Sequence, residues 1–590
     1  MPKLAHGTYL PGCWALVLLT AVEEVWAGGP ATCASSHSSA AGAALLWRES
    51  RGSPASCPVA STSSDTGTAL LQLQGRRLDA SHSSARRLPL VPYPARVQLG
   101  RNGSEHFAVS AATQVVLGAN VSESDLSVRI LRDVIKAASK EAGKAGHSHA
   151  PGAAGVIRLE LSPEVGHEEG YALRVESGGV LLRARSAAGL LYGAQTFRQL
   201  ARAEGGALVA VPTVSIDDEP RFQWRGLHLD VSRHFFNAEH VKSLLETMAA
   251  YKLNRFHWHL TDDQGWRLPV PVLPELTRLG AEAPTGKEEA YTEAEIRDVV
   301  AYAKERNIEV LPEVDVPGHA AAAIAAYPEL GNTDIADWTP PDHPIWTNGV
   351  HEYTLAPSKR VLDFLHKVFG QLAELFPGKF VHIGGDEAPT GQWSRSRGAQ
   401  SVLLGGTRQV QSYFNSQLAK MLAQWNRTCI GWDEVQHMGG LSPDFAIMAW
   451  RNAGEVRSAA AAGRHVVNAD MESLYFDHYQ GPESQEPRAI CCMTTLQEVY
   501  SYDPMPVGLT EAQQKLVMGA QGQLWSEYFP TWHQVEYMAF PRALALAERA
   551  WTSPKQLAGF GDFRRRLRAR LPDLRARGVA YRPLDPERTY

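Results

Sequence analysis

The sequence predicts a TIM-like (β/α)8 barrel preceded by a small α+β domain, and three features predict it. After residue 220, short apolar strand-like runs alternate with amphipathic helical stretches, the order that closes a parallel sheet. The stretch from 88 to 218 carries a different pattern, in which strands cluster and a helix follows. Tryptophan divides the chain the same way, since 12 of the 15 Trp residues follow position 220 and 88–218 contains none. With 590 residues, 44% of them apolar, the chain is long enough to bury a large core in more than one domain.

In chain order, Lys3 followed by the apolar run Cys13–Val22 and the small-residue site Val25-Trp26-Ala27 reads as a secretory signal peptide over 1–27, too short to be a comfortable membrane span. Residues 28–87 are rich in Ala, Ser, Gly and Arg and read as a low-complexity leader or propeptide. The small domain spans 88–218, opening on Pro89, Pro92 and Pro94. It has strands at 156–161 and 171–184, the second split by Gly178-Gly179, and a helix over 187–203. The barrel spans 219–553. Its strands are expected at 227–229, 256–260, 309–314, 380–383, 429–432, 446–450, 465–468 and 517–524.

Two of its helices carry end signals. Thr292 with Glu295 makes a capping box before Ile296, and Pro377-Gly378 ends a helix bearing Val361, Leu365, Val368, Leu372 and Leu375. Helices after strands six and seven are poorly marked, so irregular crossovers are expected there. The loop 331–357 is long enough to form part of a site wall. A C-terminal helical extension covers 554–590.

The charge balance of 58 Lys plus Arg against 63 Asp plus Glu, with no long basic run, argues against a nucleic-acid partner. Of the six cysteines, Cys13 falls in the signal, Cys33 and Cys57 could close a loop in the leader, and the adjacent Cys491 and Cys492 are expected as packing residues rather than a redox pair. Asn102, Asn120 and Asn426 stand in glycosylation sequons, which suits a secretory route ending in the lysosome or outside the cell.

In such a barrel, functional side chains gather where strands give way to loops. Strand two ends at Asp262-Asp263, and strand three at Asp315 before Pro317-Gly318-His319. Strand four ends at Gly384-Gly385-Asp386-Glu387, strand five at Trp432-Asp433-Glu434, strand six at Trp450 and strand eight at Trp525-Ser526-Glu527. Carboxylates and indoles converging on one face suit a sugar, because indole faces stack on pyranose C–H surfaces while charged groups hydrogen-bond its hydroxyls. A carboxyl among indoles has a raised pKa and can act as a general acid.

Over residues 88–553 the chain resembles glycoside hydrolase family 20, the β-N-acetylhexosaminidases. The match is carried by Gly189-Leu-Leu-Tyr-Gly-Ala-Gln-Thr-Phe-Arg-Gln-Leu200, Leu229-Asp-Val-Ser-Arg-His-Phe-Phe236 and Phe256-His-Trp-His-Leu-Thr-Asp-Asp-Gln-Gly-Trp-Arg267. It continues in Glu313-Val-Asp-Val-Pro-Gly-His319, His382-Ile-Gly-Gly-Asp-Glu387, Gly431-Trp-Asp-Glu434 and Leu524-Trp-Ser-Glu527.

The resemblance implies exo-hydrolysis of terminal N-acetylglucosamine or N-acetylgalactosamine with retention, the substrate's own acetamido group acting as nucleophile. It implies Glu387 as general acid and base, Asp386 as the group that orients the acetamide, and Tyr475 as donor to the acetamido oxygen. By the same carry-over Trp432, Trp450 and Trp525 wall the pocket, Arg233, Glu527 and Asp477 read the sugar's far hydroxyls, and Asp262 with His319 tunes Glu387. It implies no metal or other cofactor, a glycan partner and a candidate homodimer, with no stable membrane anchor. One departure concerns the sugar beyond the cleavage point: family members often place another Trp between the Tyr475 and Trp525 motifs, where this chain runs Ala489-Ile-Cys-Cys-Met-Thr494.

Two rival classes fit the same barrel. His257 and His259, joined by His319, His382 and Asp433, have spacing that a metal-dependent amidohydrolase could use. A glycan-binding protein without turnover is the other, opposed by the presence of both carboxylates and Tyr475. Taken alone, Asp386-Glu387 reads as a helix N-cap with a first-turn acid.

Overall fold

A computed structural model describes residues 87–584 apart from 101–104, 145–154, 202–209 and 406–408; the expected signal peptide and all but the last residue of the leader, with Cys33, Cys57 and Asn102, lie outside the described residues. Among the described residues, no helix is long and apolar enough to cross a membrane.

The small domain is built on a six-stranded sheet. Its strands are β1 (Arg96–Leu99), β2 (Gln114–Leu117), β3 (Val156–Leu161), β4 (Tyr171–Glu176), β5 (Gly179–Ala184) and β6 (Val214–Asp218), in spatial order β1-β6-β4-β5-β3-β2. The β4–β5 hairpin pairs Val175 with Val180 and Leu173 with Leu182 in antiparallel register, so alternate apolar residues share the buried face. Helices α1 (Leu126–Lys144) and α2 (Ala187–Leu200) belong to the same domain, and Ser186 caps α2 by accepting from Ala188 N at 3.1 Å.

The barrel closes from eight parallel strands. They are β7 (Trp224–Asp230), β8 (Arg255–His259), β9 (Glu309–Glu313), β10 (Phe380–His382), β11 (Thr428–Trp432), β12 (Ala446–Ala449), β13 (Val466–Asn468) and β14 (Val517–Gly522), with β14 pairing back onto β7. None of these strands holds an exposed residue, and only β8, β9 and β10 open on half-buried ones, which is why they read as continuous apolar runs rather than alternating ones.

The outer helices include α3 (Ala238–Ala250), α4 (Glu293–Glu305), α5 (Lys359–Leu375) and α6 (Val410–Ala423). The Thr292/Glu295 capping box forms at the start of α4, and α5 ends one residue before Phe376, as the sequence predicts. After strand β12 a regular helix is present, α7 (Ala453–Ala461), whose run of alanines carries too few large residues to display a period. After β13 only short helices occur, at Met471–Leu474, Leu496–Ser501 and Glu511–Gln514. Helix α8 (Arg542–Trp551) follows β14, and the terminal extension forms α9 (Phe560–Arg568) and α10 (Leu571–Ala576).

The small domain and barrel share side chains. Trp551, at the end of α8, packs in the small-domain core and donates Nε1 to Asp218 at 3.0 Å. Arg225 of β7 makes a bidentate pair with Glu169, at 2.8 and 3.0 Å. Asn120 and Asn426 are both exposed. The cysteine expectation needs correction. Cys429 is buried, but Cys491 and Cys492 are exposed free thiols, because residues 490–493 lie at the surface between the buried Ala489 and Thr494.

Candidate active site

The C-terminal ends of the barrel strands bring the expected residues to one face. The turn after β10 is the most constrained of them. Gly384 (φ +65°) and Gly385 (φ +90°) turn the chain out of the strand, and Glu387 follows at φ +43°. A Cβ on Gly384 would lie 1.7 Å from Asp315 Oδ1, so only glycine fits, and Gly385 N donates to that same oxygen at 3.1 Å. No helix begins at Asp386: the next one starts at Gly391, so the pair is not an N-cap and first-turn acid.

From this turn Asp386 points inward, with its side chain 13% exposed, while Glu387 stands at the mouth at 45%. Burial raises the Glu387 pKa, and the neighbouring Asp386 charge raises it further, so this carboxyl keeps its proton to a higher pH than an ordinary glutamate. Asp386 is also raised by burial, with His319 opposing. Asp315, wholly buried beside it, is driven well above the carboxylate range by burial and by Asp386. Burial and the neighbouring charge thus press Asp315 harder toward its neutral form than they press Asp386.

His319 links Glu387 to a buried chain of groups. Its Nε2 lies 3.7 Å from Glu387 and 4.0 Å from Asp386, and its Nδ1 pairs with Asp262 at 3.1 Å. Burial opposes a charge on His319, but Asp262 together with Asp263 and Asp315 outweighs it and raises the pKa well above the usual histidine value. Asp262 continues to His259 Nε2 at 2.9 Å, and His259 Nδ1 reaches Glu313 at 2.6 Å. Glu313 also contacts His257 at 3.0 Å and His382 at 2.8 Å and accepts from Trp432 Nε1 at 2.9 Å. Of the histidines weighed for a metal-dependent hydrolase, His257, His259 and His382 are thus buried inside the barrel and bonded to Glu313, while His319 is held by Asp262 beside Glu387.

The far-end groups adjoin this chain through Asp262. Arg233, in the loop after β7, lies 3.0 Å from Asp262, 3.4 Å from Asp230 and 3.9 Å from Glu527, with its guanidinium 5.0 Å from the Trp525 ring centre. Asp477 is buried, and burial followed by the Glu527 charge raises its pKa well above the carboxylate range. Tyr475 is kept as a neutral hydroxyl by burial and then by Asp477. Trp450 stacks near Tyr475 with ring centres 6.2 Å apart, and Glu434 accepts from its Nε1 at 2.9 Å. Trp450 and Trp525 are half-buried, whereas Trp432 is fully buried beneath Trp525, 5.7 Å between rings, as part of the floor.

Among the described residues, the polar atoms of this face that are buried without a hydrogen-bond partner include Arg233 Nε, His319 Nε2, Asp386 Oδ1, Asp477 Oδ1 and Glu527 Oε2, with Asp263 Oδ2 and Asp315 Oδ2 at the neighbouring strand ends. Native interiors rarely leave such atoms unpaired, so their convergence marks a place built for a polar ligand. Four supporting residues lie outside the sequence-based site: Asp230, Glu313, Asp315 and Glu434. Asp315 and Glu434 stand at strand ends already singled out; Asp230 and Glu313 sit inside family motifs, where nothing in one sequence separates a buried partner from core.

The comparisons agree with this geometry. Residues 222–554 match the model "Glycosyl hydrolase family 20, catalytic domain", and residues 87–219 match "Glycosyl hydrolase family 20, domain 2". A β-hexosaminidase of Porphyromonas gingivalis is 40% identical over 438 residues, which cover 71% of this chain and 55% of that protein. One from Vibrio furnissii is 33% identical, covering 82% and 79%. The crystal structure of the family 20 exo β-N-acetylglucosaminidase of Vibrio harveyi in complex with N-acetylglucosamine is similar at a TM-score of 0.71 and 30% identity, covering 84% and 78% of the two chains. With both domains matched and the strand-end residues assembled, the chain belongs to glycosyl hydrolase family 20, the β-N-acetylhexosaminidases.

Proposed function

We propose that the chain removes terminal non-reducing N-acetylglucosamine or N-acetylgalactosamine from glycans in two steps with net retention. In the first step Glu387 donates its proton to the glycosidic oxygen as the C1–O bond breaks, and the substrate's acetamido oxygen bonds to C1, giving an oxazolinium ion. Asp386 accepts from the acetamido N–H and stabilises the positive charge, while Tyr475 donates to the acetamido oxygen and holds it facing C1. In the second step water adds to C1 as its proton passes to Glu387, which restores both the acetamide and the acid. Arg233, Glu527 and Asp477 take the far hydroxyls, Trp450 and Trp525 flank the ring above Trp432, and Asp262 acts on Glu387 through His319.

The observation that carries this reading is the set of unpaired buried atoms on Arg233, His319, Asp386, Asp477 and Glu527, which a hydroxylated ring with an acetamido arm can satisfy. The V. harveyi complex with N-acetylglucosamine supports the sugar assigned. A thiazoline analogue of the cyclised sugar tests it: tight competitive inhibition that weakens in Asp386→Asn and Tyr475→Phe is expected, and an active enzyme indifferent to it would refute the mechanism.

A secretory route is part of the proposal, supported by the signal-like 1–27 and by the exposure of Asn120 and Asn426. Expression in a secretory host should yield protein that endoglycosidase treatment shifts in mass; material that is neither cleaved nor glycosylated would count against it.

A further inference from the structure

Beside the sugar site, His478, Cys491 and Cys492 form a cluster that hydrolysis does not use. One ligand atom from each lies within 4.8 Å of the others. Both thiols are exposed, whereas His478 is only 6% exposed.

Hydrogen bonding sets the tautomer of this imidazole. Thr494 Oγ1 donates to Glu472 O at 3.0 Å, so the 2.9 Å contact between Thr494 Oγ1 and His478 Nδ1 has the ring N–H donating to the hydroxyl. That leaves the lone pair on Nε2, the arrangement of a metal-ligating histidine whose other nitrogen is held by a neighbour. The backbone also favours convergence. Consecutive residues in an extended strand point to opposite faces, but Cys492 sits at φ +55°, outside the extended region, and the two sulfurs come within reach of one site.

We propose that His478, Cys491 and Cys492 bind a thiophilic divalent cation of the zinc class through two thiolates and one imidazole nitrogen. On binding, the two S–H protons pass to solvent, two sulfur–metal bonds form, and no group changes oxidation state; water fills the remaining position. A cysteine pair by itself is also open to oxidation, although a disulfide between adjacent residues closes a strained ring. The buried imidazole held in its ligating tautomer is what favours a cation.

The site touches the sugar pocket through short links. Thr494 N donates to Tyr479 O at 2.9 Å and Ile490 N to Asp477 O at 3.4 Å, and the His478 ring lies 5.9 Å from that of Tyr475. Cys491 and Cys492 also line an open depression of about 430 Å³ with Arg488 and Tyr528. Occupancy is therefore expected to change KM for glycans more than kcat.

The full chain, reduced and freed of metal by a chelator, is titrated with cadmium while ultraviolet thiolate-to-metal charge transfer is followed. The wild type should take up one cadmium ion more per chain than Cys491→Ser/Cys492→Ser, zinc should displace it, and cadmium should protect both cysteines from iodoacetamide. Thr494→Val, which releases the imidazole, should weaken binding by about 10–100-fold. Equal uptake by wild type and double variant, or no protection of Cys491 and Cys492 in the wild type, would overturn the proposal. So would a 491–492 disulfide in the isolated protein that re-forms in preference to cadmium uptake. None of these readouts requires turnover, so they stand or fall apart from the hydrolase reading.

Discussion

Glu387 and Asp386 are neighbours in sequence with different surroundings, and the difference sets their work. Glu387 stands half-exposed at the mouth with its pKa raised by burial and by Asp386, so it can hold a proton where an ordinary glutamate would have lost it. Activity that needs this proton falls as pH rises through the raised value, giving the basic limb of a kcat/KM profile. Glu387→Gln should lower kcat by about 10²–10⁴-fold toward substrates with poor leaving groups and flatten that limb; an unchanged profile would remove Glu387 from the role. Asp386→Asn keeps the shape but loses the charge, and should cost about 10²–10³-fold in kcat with a smaller change in KM. Single-turnover kinetics would separate the two effects. These side chains were legible from sequence because each ends a strand-like run. Asp315, whose carboxyl fixes the Gly384-Gly385 turn, and Glu313, which gathers three imidazoles, were not given roles, because their significance lies in distances between strands far apart in the chain.

At the scale of elements, the turn after β10 does the most to place the site. Gly384→Ala would drive a Cβ into Asp315 and force a left-handed backbone on alanine. It should both destabilise the protein and abolish turnover, read by a falling Tm and by loss of thiazoline binding. Thr292→Ala provides the contrast. It removes the exposed capping box of α4, which shares no residue with the site, and should cost about 1 kcal/mol in stability while kcat stays unchanged. The eight strands were readable because buried parallel strands are short apolar runs with turn signals at their ends. Helix α7 was not, since a helical period cannot stand out in an alanine-rich segment whose buried positions are Val456, Ala459 and Ala460. The exposure of Cys491 and Cys492 was equally hidden, because adjacent cysteines carry no mark of which face they occupy.

For the whole molecule, the small domain and the barrel are joined by groups that are costly to separate. Arg225 is wholly buried and its charge is answered by Glu169, which burial would raise but which Arg225 holds down to about 2. Glu169→Gln should cost about 3–5 kcal/mol near neutral pH by leaving the buried guanidinium unpaired. Because the folded pKa of Glu169 is depressed, the pair's contribution is present above the ordinary glutamate value and is lost as pH falls through about 2. The gap in stability between wild type and Glu169→Gln should therefore close between these limits, a trend that denaturant unfolding across pH can follow. Sequence offered no sign of this joint, since Glu169 lies in a loop and Arg225 inside an apolar strand.

What unites the scales is a site that positions a nucleophile belonging to the substrate. Nitrophenyl glycosides bearing acetamido groups with zero, one, two or three fluorines test this most directly, because each fluorine weakens the amide oxygen as a nucleophile while leaving the leaving group the same. Assistance by the acetamide requires kcat/KM to fall steeply and regularly along the series. A flat series would mean that the protein, not the sugar, supplies the nucleophile.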